Sequence, residues 1–569
     1  MPSLDDLLSK LEVEKTKFGA DGKQTEKLLA AIDRRRFSDA EALIRFHEAL
    51  MFIRAFPQSA NTFRLADELL SRFAERVDRV RSSGADLTAF DYIESSGIAG
   101  TTISGTFSYA IARWLVDRHS LQVDVDWGKH EKKERLGSTL PRLLPLLEED
   151  SLVEANIPYL AWLRAAKAGK ESDLVWLVRR FDQLRLLEKE KAELYDSLEL
   201  PVAWSLDQPR ASRTGNIRKP RKIFYHTEPL IRRSDVSLAE EFDSPPMKLE
   251  KLARDQGEAI LDTVRAATTV RYRELYGITH GDAGSVMRAD VGRGVVIYLW
   301  GLPPERRLPL RAYHAGFTLK NGVPINYIEG ISLFERMELG FNTFYTFREG
   351  ETAWVYAKVL RLLNQTVGAT CFSLDPYQIG FNNEEAIESG AFWFYRKLGF
   401  RPAQEELIKL VEAEEKKIRA DGQYRTHERI LKRLSTRHMI YEMAGTSRGD
   451  WDRFQVRNLG LEIQRRMAEE FHGDSERIRD ASIAEVARSL AIGLSDFNQL
   501  EREAFDNLAL LLALVPDLDR WTDEEKNRIA QIVRAKAGQD ESLYARLLQR
   551  HGALRRAVIN LGSRHIEFD

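Results

Sequence analysis

The chain has 569 residues, 43% of them apolar and 30% charged, which is the composition of a globular protein with enough apolar material for several buried cores. Its 85 basic and 87 acidic residues give a net charge of −2, so no overall field recruits nucleic acid or an anionic membrane. One cysteine, Cys371, excludes an intramolecular disulfide framework and any multi-cysteine metal cluster. The first residues are too charged for a signal peptide, and no apolar run approaches the ~20 residues that span a bilayer. A cytoplasmic protein that does not enter membranes is expected.

Residues 1–205 read as a helical domain. After Ser59, a predicted cap, Phe63, Ala66, Leu70, Phe73, Val77 and Val80 step by three and four along one face. Leu43, Phe46, Leu50 and Ile53 make a similar stripe. Further helices are expected over 105–118, 139–149, 157–168 and 171–199. SSGIAGTTISGT at 95–106 lacks the Gly-Lys-Ser/Thr of a phosphate loop and reads as a helix entrance. Asp124 and Asp126 have no third ligand at metal spacing, and no metal is expected. Residues 206–222 read as a solvated basic linker, whose run at 210–222 carries Arg210, Arg213, Arg218, Lys219, Arg221 and Lys222 without an acid. Aromatic residues for base stacking are few, so nucleic acid is not an expected partner.

The pattern changes in the middle. Fifteen of the 35 glycines fall between Gly277 and Gly399, which predicts strands and turns there. Strands are expected at Ile223–Ile231, Val295–Leu302, Arg311–Leu319 and Val323–Phe334, with an Asn321-Gly322 hairpin turn between the last two. Residues 248–276 read as helical in two pieces. A helix over 351–366, a strand at 369–374, a helix over 383–398 and a strand at Phe400 complete an α/β domain at 223–402. From 403 to 569 the chain is helical again, in stretches such as HERILKRLSTRHMIYEM and TDEEKNRIAQIVRAK. Thr522 and Glu525 form a predicted capping box. The whole is helix-dominated, with one mixed-sheet domain between two all-α regions.

In EAIESGAFWFYRKLGFRP, Ala391, Phe394, Tyr395, Lys397, Gly399 and Phe400 fall in register with the helix pattern N-x-x-A-x-x-F-Y-x-K-x-G-F. With the order of elements, this segment resembles the GCN5-related N-acetyltransferase (GNAT) superfamily over about 220–402. The resemblance implies a GNAT-like fold and an acyl-CoA-dependent N-acyltransferase. Its cosubstrate would be acetyl-CoA or another acyl-CoA, and its acceptor a small-molecule or protein amine. It places pyrophosphate binding on the loop opening the third helix, here Arg348, Gly350, Thr352 and Ala353, with Asn383 a turn or more before the motif's Asn slot, which Glu388 holds. It makes Tyr395 the acid that protonates the leaving thiolate. Glu329, a carboxylate beside Gly330 on the 323–334 strand, is the matching base, with Glu335 and Glu338 next to it. The cleft is expected between the 323–334 and 369–374 strands. Glu349 and Glu351 put negative charge in the loop, which leaves open an inactive GNAT-shaped interaction or scaffold protein. The helical regions would cover the acceptor side or mediate homo-oligomerisation.

Overall fold

The computed structural model describes residues 2–19, 22–146, 159–167, 169–207, 209–446 and 449–564. It is 54% helical, with 25 α-helices and twelve strands among the described residues, a helix-dominated fold with a mixed sheet as the spacing of apolar residues predicts. None of these helices is long and apolar enough to cross a membrane. The predicted helix over 139–149 and the one over 157–168 each run partly outside the described residues.

The chain divides into two compact units. One comprises residues 1–229, 260–279 and 320–324; the other comprises 230–259, 280–319 and 325–569. In the first unit, Ser59 caps the helix Ala60–Ser71, its hydroxyl accepting the Thr62 N–H at 3.1 Å. The stripe ending at Val80 is carried by two helices, because the chain leaves helical geometry at Arg72 and restarts at Phe73. Both keep their apolar side in, with Leu70, Phe73, Val77 and Val80 buried.

Three strands went unpredicted in this unit: β1 (Thr102–Thr106), β2 (Val123–Val125) and β3 (Pro201–Ser205), paired in the order β1-β3-β2. They are too short to show a period of their own. Trp204 of β3 is fully buried in a core with Leu115 and Phe181. Asp124 Oδ1 accepts the Asp173 N–H at 2.8 Å, and Asp126 accepts the Ser104 hydroxyl at 2.8 Å. Both carboxylates therefore brace the backbone and a side chain.

The expected basic linker is built into the fold. Ser212, Arg213 and Thr214 are buried, and Arg213 pairs with Glu48 at 2.8 Å. A sequence scan reads the charge of Arg213 but not its partner, 165 positions away. The strand expected at 223–231 does not form. The Asn321 side chain takes the place of a neighbouring strand: its Oδ1 accepts the Phe224 N–H at 2.9 Å and its Nδ2 donates to the Phe224 carbonyl at 3.0 Å.

Asn321 and Gly322 have φ of 46° and 85°, the doubly left-handed turn that the Asn-Gly pair predicts. A Cβ on Gly322 would stand 1.8 Å from the Arg218 carbonyl oxygen. Gly322→Ala is therefore expected to cost roughly 1–3 kcal/mol, read as a lower urea midpoint than that of the parent.

The second unit holds a nine-stranded sheet, β11-β12-β10-β9-β8-β7-β6-β5-β4. The strands are β4 (Leu249–Lys251), β5 (Met287–Gly292), β6 (Val295–Trp300), β7 (Ala312–Lys320), β8 (Val323–Leu333), β9 (Arg336–Thr343), β10 (Cys371–Leu374), β11 (Arg401–Pro402) and β12 (Met439–Glu442). β9 and β10 pair parallel, whereas β8 and β9, β10 and β12, and β11 and β12 pair antiparallel.

Four expectations are corrected here. β4 occupies the start of the stretch read as helix, and the helix Arg254–Thr269 follows it. β9 was missed, and it lies between the strands at 323–334 and 369–374, which are consequently not neighbours. Its turn is Phe334-Glu335, with φ of 52° at Phe334 and neither Gly nor Asn to mark it. β12 was read as the end of a helix that stops at Leu434. The helix predicted over 383–398 is two, Glu384–Glu388 and Ala391–Arg396, separated where Gly390 turns left-handed at φ 69°. The Thr522 capping box forms as predicted, with Thr522 N–H donating to Glu525 at 3.0 Å and Glu525 N–H to the Thr522 hydroxyl at 3.3 Å.

Candidate functional site

The sheet opens in its middle. β9 and β10 pair from Arg336 opposite Cys371 to Glu338 opposite Ser373. β10 ends at Leu374, and Asp375-Pro376 turns the chain into the short helix Pro376–Ile379, with Asp375 Oδ1 accepting the Tyr377 N–H at 2.8 Å. β9 continues through Leu339–Thr343, held by β8 alone up to Thr343 opposite Asn326. A strand that keeps one neighbour and loses the other presents unpaired backbone groups on the open side.

Alternation decides what faces the gap. Arg336, Glu338 and Gly340 point to one face of the sheet, across from Leu333, Ile331 and Glu329 of β8. Met337, Leu339 and Phe341 point to the other, where the Phe341 ring meets Tyr356 of the helix Thr352–Val367 at 4.8 Å.

Glu329 stands opposite Gly340, and the Tyr313 hydroxyl donates to its carboxylate. Burial pushes the Glu329 carboxyl above its ordinary value, and the Tyr313 bond offsets part of that rise. A Cβ at Gly340 would stand in ordinary contact with the Glu329 carbonyl oxygen at 3.7 Å and the Gln378 amide nitrogen at 3.8 Å, so glycine leaves space here for no more than a small group. A partly buried carboxylate of raised basicity, beside an open backbone edge, can accept a proton from an incoming group.

Tyr395 lies on the other face. Its ring packs on Tyr356 at 5.5 Å, Phe400 at 5.8 Å and Phe394 at 5.1 Å, and burial raises its phenol above the ordinary value. Tyr395 and Glu329 are therefore separated by the sheet.

The loop before Thr352 is ordered by its own side chains. Arg348 pairs with the Glu385 carboxylate, and Gly350 N–H donates to the Phe347 carbonyl at 3.0 Å. Glu351 is buried, its Oε1 accepting Arg293 Nε at 2.8 Å and the Ile231 N–H at 3.2 Å. The Thr352 hydroxyl reaches back to the Arg348 carbonyl at 3.4 Å, and Ala353 is buried. The helix Thr352–Val367 starts with no side-chain cap. Asn383 is itself a cap, its Oδ1 accepting the Ala386 N–H at 3.1 Å while its Nδ2 donates to the Tyr377 carbonyl at 3.0 Å.

Of the two reserve bases, Glu335 is held by Arg555 at 2.9 Å and by the Trp451 indole at 2.7 Å, whereas Glu338 lies on the open face. Cys371 is buried and its thiol is pushed up to about 12, which leaves it protonated and inert at neutral pH. Among the described residues no three His, Cys, Asp or Glu side chains are placed to hold a metal. Gly340 went unread because β9 did, whereas Tyr313 on the expected 311–319 strand and Gln378 on the helix Pro376–Ile379 carry no sequence mark of their contact with this place. The Arg336-x-Glu338-x-Gly340 alternation was the signal that would have placed Gly340 opposite Glu329. No family model, no curated protein and no solved structure matches the chain.

Proposed function

We propose that the second unit is an acyl-CoA-dependent N-acyltransferase, moving an acyl group from a coenzyme A thioester to an amine. The observation that carries this reading is the gap between the parallel strands β9 and β10, with Glu329 of β8 opposite the stretch of β9 that β10 leaves unpaired. Unpaired N–H groups of β9 beyond Glu338 are suited to stabilise negative charge on an acyl oxygen. Glu329 takes the proton of the attacking amine, directly or through one water. The first-turn N–H groups at Thr352 and Ala353 suit a pyrophosphate, since Glu351 turns its charge inward onto Arg293. The departing thiolate takes its proton from water, since Tyr395 packs among Tyr356, Phe394 and Phe400 on the other face of the sheet from Glu329.

The test is release of the coenzyme A thiol from acetyl-CoA, measured with and without a set of primary amines and a lysine-containing peptide. Release that requires both an amine and the protein is expected. Release no faster than buffer hydrolysis with every amine would rule out the activity and favour a GNAT-shaped interaction module.

A further inference from the structure

A large cavity of the second unit lies on the Glu338 face of the sheet. It measures about 1710 Å³ and is an open groove, larger than the ~300–1,000 Å³ of most small-molecule pockets. Its floor includes Arg336 and Glu338 of β9 with Ile331 and Leu333 of β8.

Arg336 is the unusual residue. It is 7% exposed, and its Nε donates to the Ser373 hydroxyl at 3.0 Å. Its guanidinium lies 5.6 Å from the Trp451 ring centre and 5.8 Å from that of Phe454. Aromatic rings and one hydrogen bond therefore fix the fork, and its terminal nitrogens are left for the groove. Among the described residues no carboxylate forms an ion pair with Arg336. Of the nearby acids, Arg401 holds Asp452 at 2.8 and 3.1 Å and Arg555 holds Glu335, while Glu338, two residues along the same face, stays beyond ion-pair distance of the guanidinium. A buried guanidinium with no carboxylate in ion-pair contact is costly to keep, so it gains from an external anion.

Other features converge on the same place. The groove is lined by the start of the helix Val456–Phe471, which has sixteen residues, no side-chain cap and no acid in its first turn. Arg453 and Arg457 flank that start, Arg311 and Arg437 also line the groove, and none of the four is in an ion pair among the described residues. A different stretch of lining, from the end of β10 and the start of the helix Glu405–Ala420, is acidic: Asp375, Glu405 and Glu406.

We propose that this groove binds a small molecule through a phosphate or pyrophosphate group, held by Arg336 and by the N-terminus of the Val456–Phe471 helix. A rigid arginine fork takes two oxygens, and helix N–H groups with the flanking arginines take the others, a fit for a tetrahedral dianion. The acidic stretch disfavours a ligand of uniform negative charge, so a nucleic-acid backbone is not the occupant. The site stands apart from the acyl-transfer reading, and either can fail without the other.

The experiment is calorimetric titration of the full chain with inorganic pyrophosphate, with a twelve-nucleotide single-stranded DNA as the second arm. Saturable pyrophosphate binding is expected, weakened about 10- to 100-fold by Arg336→Gln and less by Arg453→Ser with Arg457→Ser. Thermal melts check that each variant is folded. The paired surface change keeps the test valid if Arg336→Gln does not fold, because loss of both rim charges must also weaken binding and flatten its salt dependence. Absence of pyrophosphate binding overturns the proposal. So does binding that the folded variants leave unchanged, and so does tighter binding of the DNA than of pyrophosphate.

Discussion

Replacing Glu329 with glutamine is expected to lower acyl-transfer turnover by about 10²–10⁴-fold, with acyl-CoA affinity nearly unchanged. That split marks a group that acts on the proton rather than on cosubstrate binding. The parent's rate should rise with pH along a limb displaced upward from the usual carboxylate range, because burial disfavours the ionised form. The same displacement has a consequence for stability. With the folded-state pKa raised, the unfolded chain loses this proton first as pH rises. The stability carried by the neutral carboxyl is complete below the unfolded value and is lost as pH climbs through the folded one. Glu329→Gln stays neutral and still accepts from Tyr313, so it should melt higher than the parent at about pH 8 and not at about pH 4. A variant that loses turnover and also melts lower at both pH values would mark Glu329 as structural.

Replacing Glu541 with alanine is expected to destabilise the second unit by about 3–5 kcal/mol. Glu541 and Lys536 are 3% and 4% exposed and pair at 3.0 Å, with Arg307 3.7 Å from the same carboxylate. Burial lowers the Lys536 ammonium, which also donates to the Arg311 carbonyl at 2.9 Å and lies 4.4 Å from the Tyr544 ring centre. Arg307 has further acceptors in the Leu302 and Gly538 carbonyls at 3.0 and 2.6 Å, so the main casualty is Lys536, left buried without its carboxylate. Removing both charges, as Lys536→Met with Glu541→Leu, should recover most of the loss, since an apolar pair carries no desolvation cost. Urea midpoints of the single and double variants give the comparison. A double variant as unstable as Glu541→Ala would contradict it.

The parts of the fold legible in the sequence were those fixed by neighbours in the chain. Asn321-Gly322 forced its turn, Ser59 and Thr522 capped the helices they precede, and the glycine-rich middle held most of the large sheet. What distant residues fix was not legible. Phe334-Glu335 closes a hairpin without a turn residue, so β9 disappeared, and with it the true position of the gap. Arg213 and Arg336 look solvated in a sequence, yet one is buried on Glu48 and the other between aromatic rings. Glu329 was found by its place beside Gly330, but its opposition to Gly340 and its bond from Tyr313 required the register of three strands. The motif of the Ala391 helix named Tyr395 without telling which side of the sheet it would take.

Titrating the purified full chain calorimetrically with acetyl-CoA and with a longer acyl-CoA tests the central claim most directly, because cosubstrate binding needs no knowledge of the acceptor. The acyltransferase reading predicts saturable binding at about one molecule per chain, retained in Glu329→Gln. It also predicts a higher melting temperature with ligand in excess, worth roughly 2.7 kcal/mol at a hundred times Kd. No binding of either acyl-CoA at millimolar concentration would contradict it.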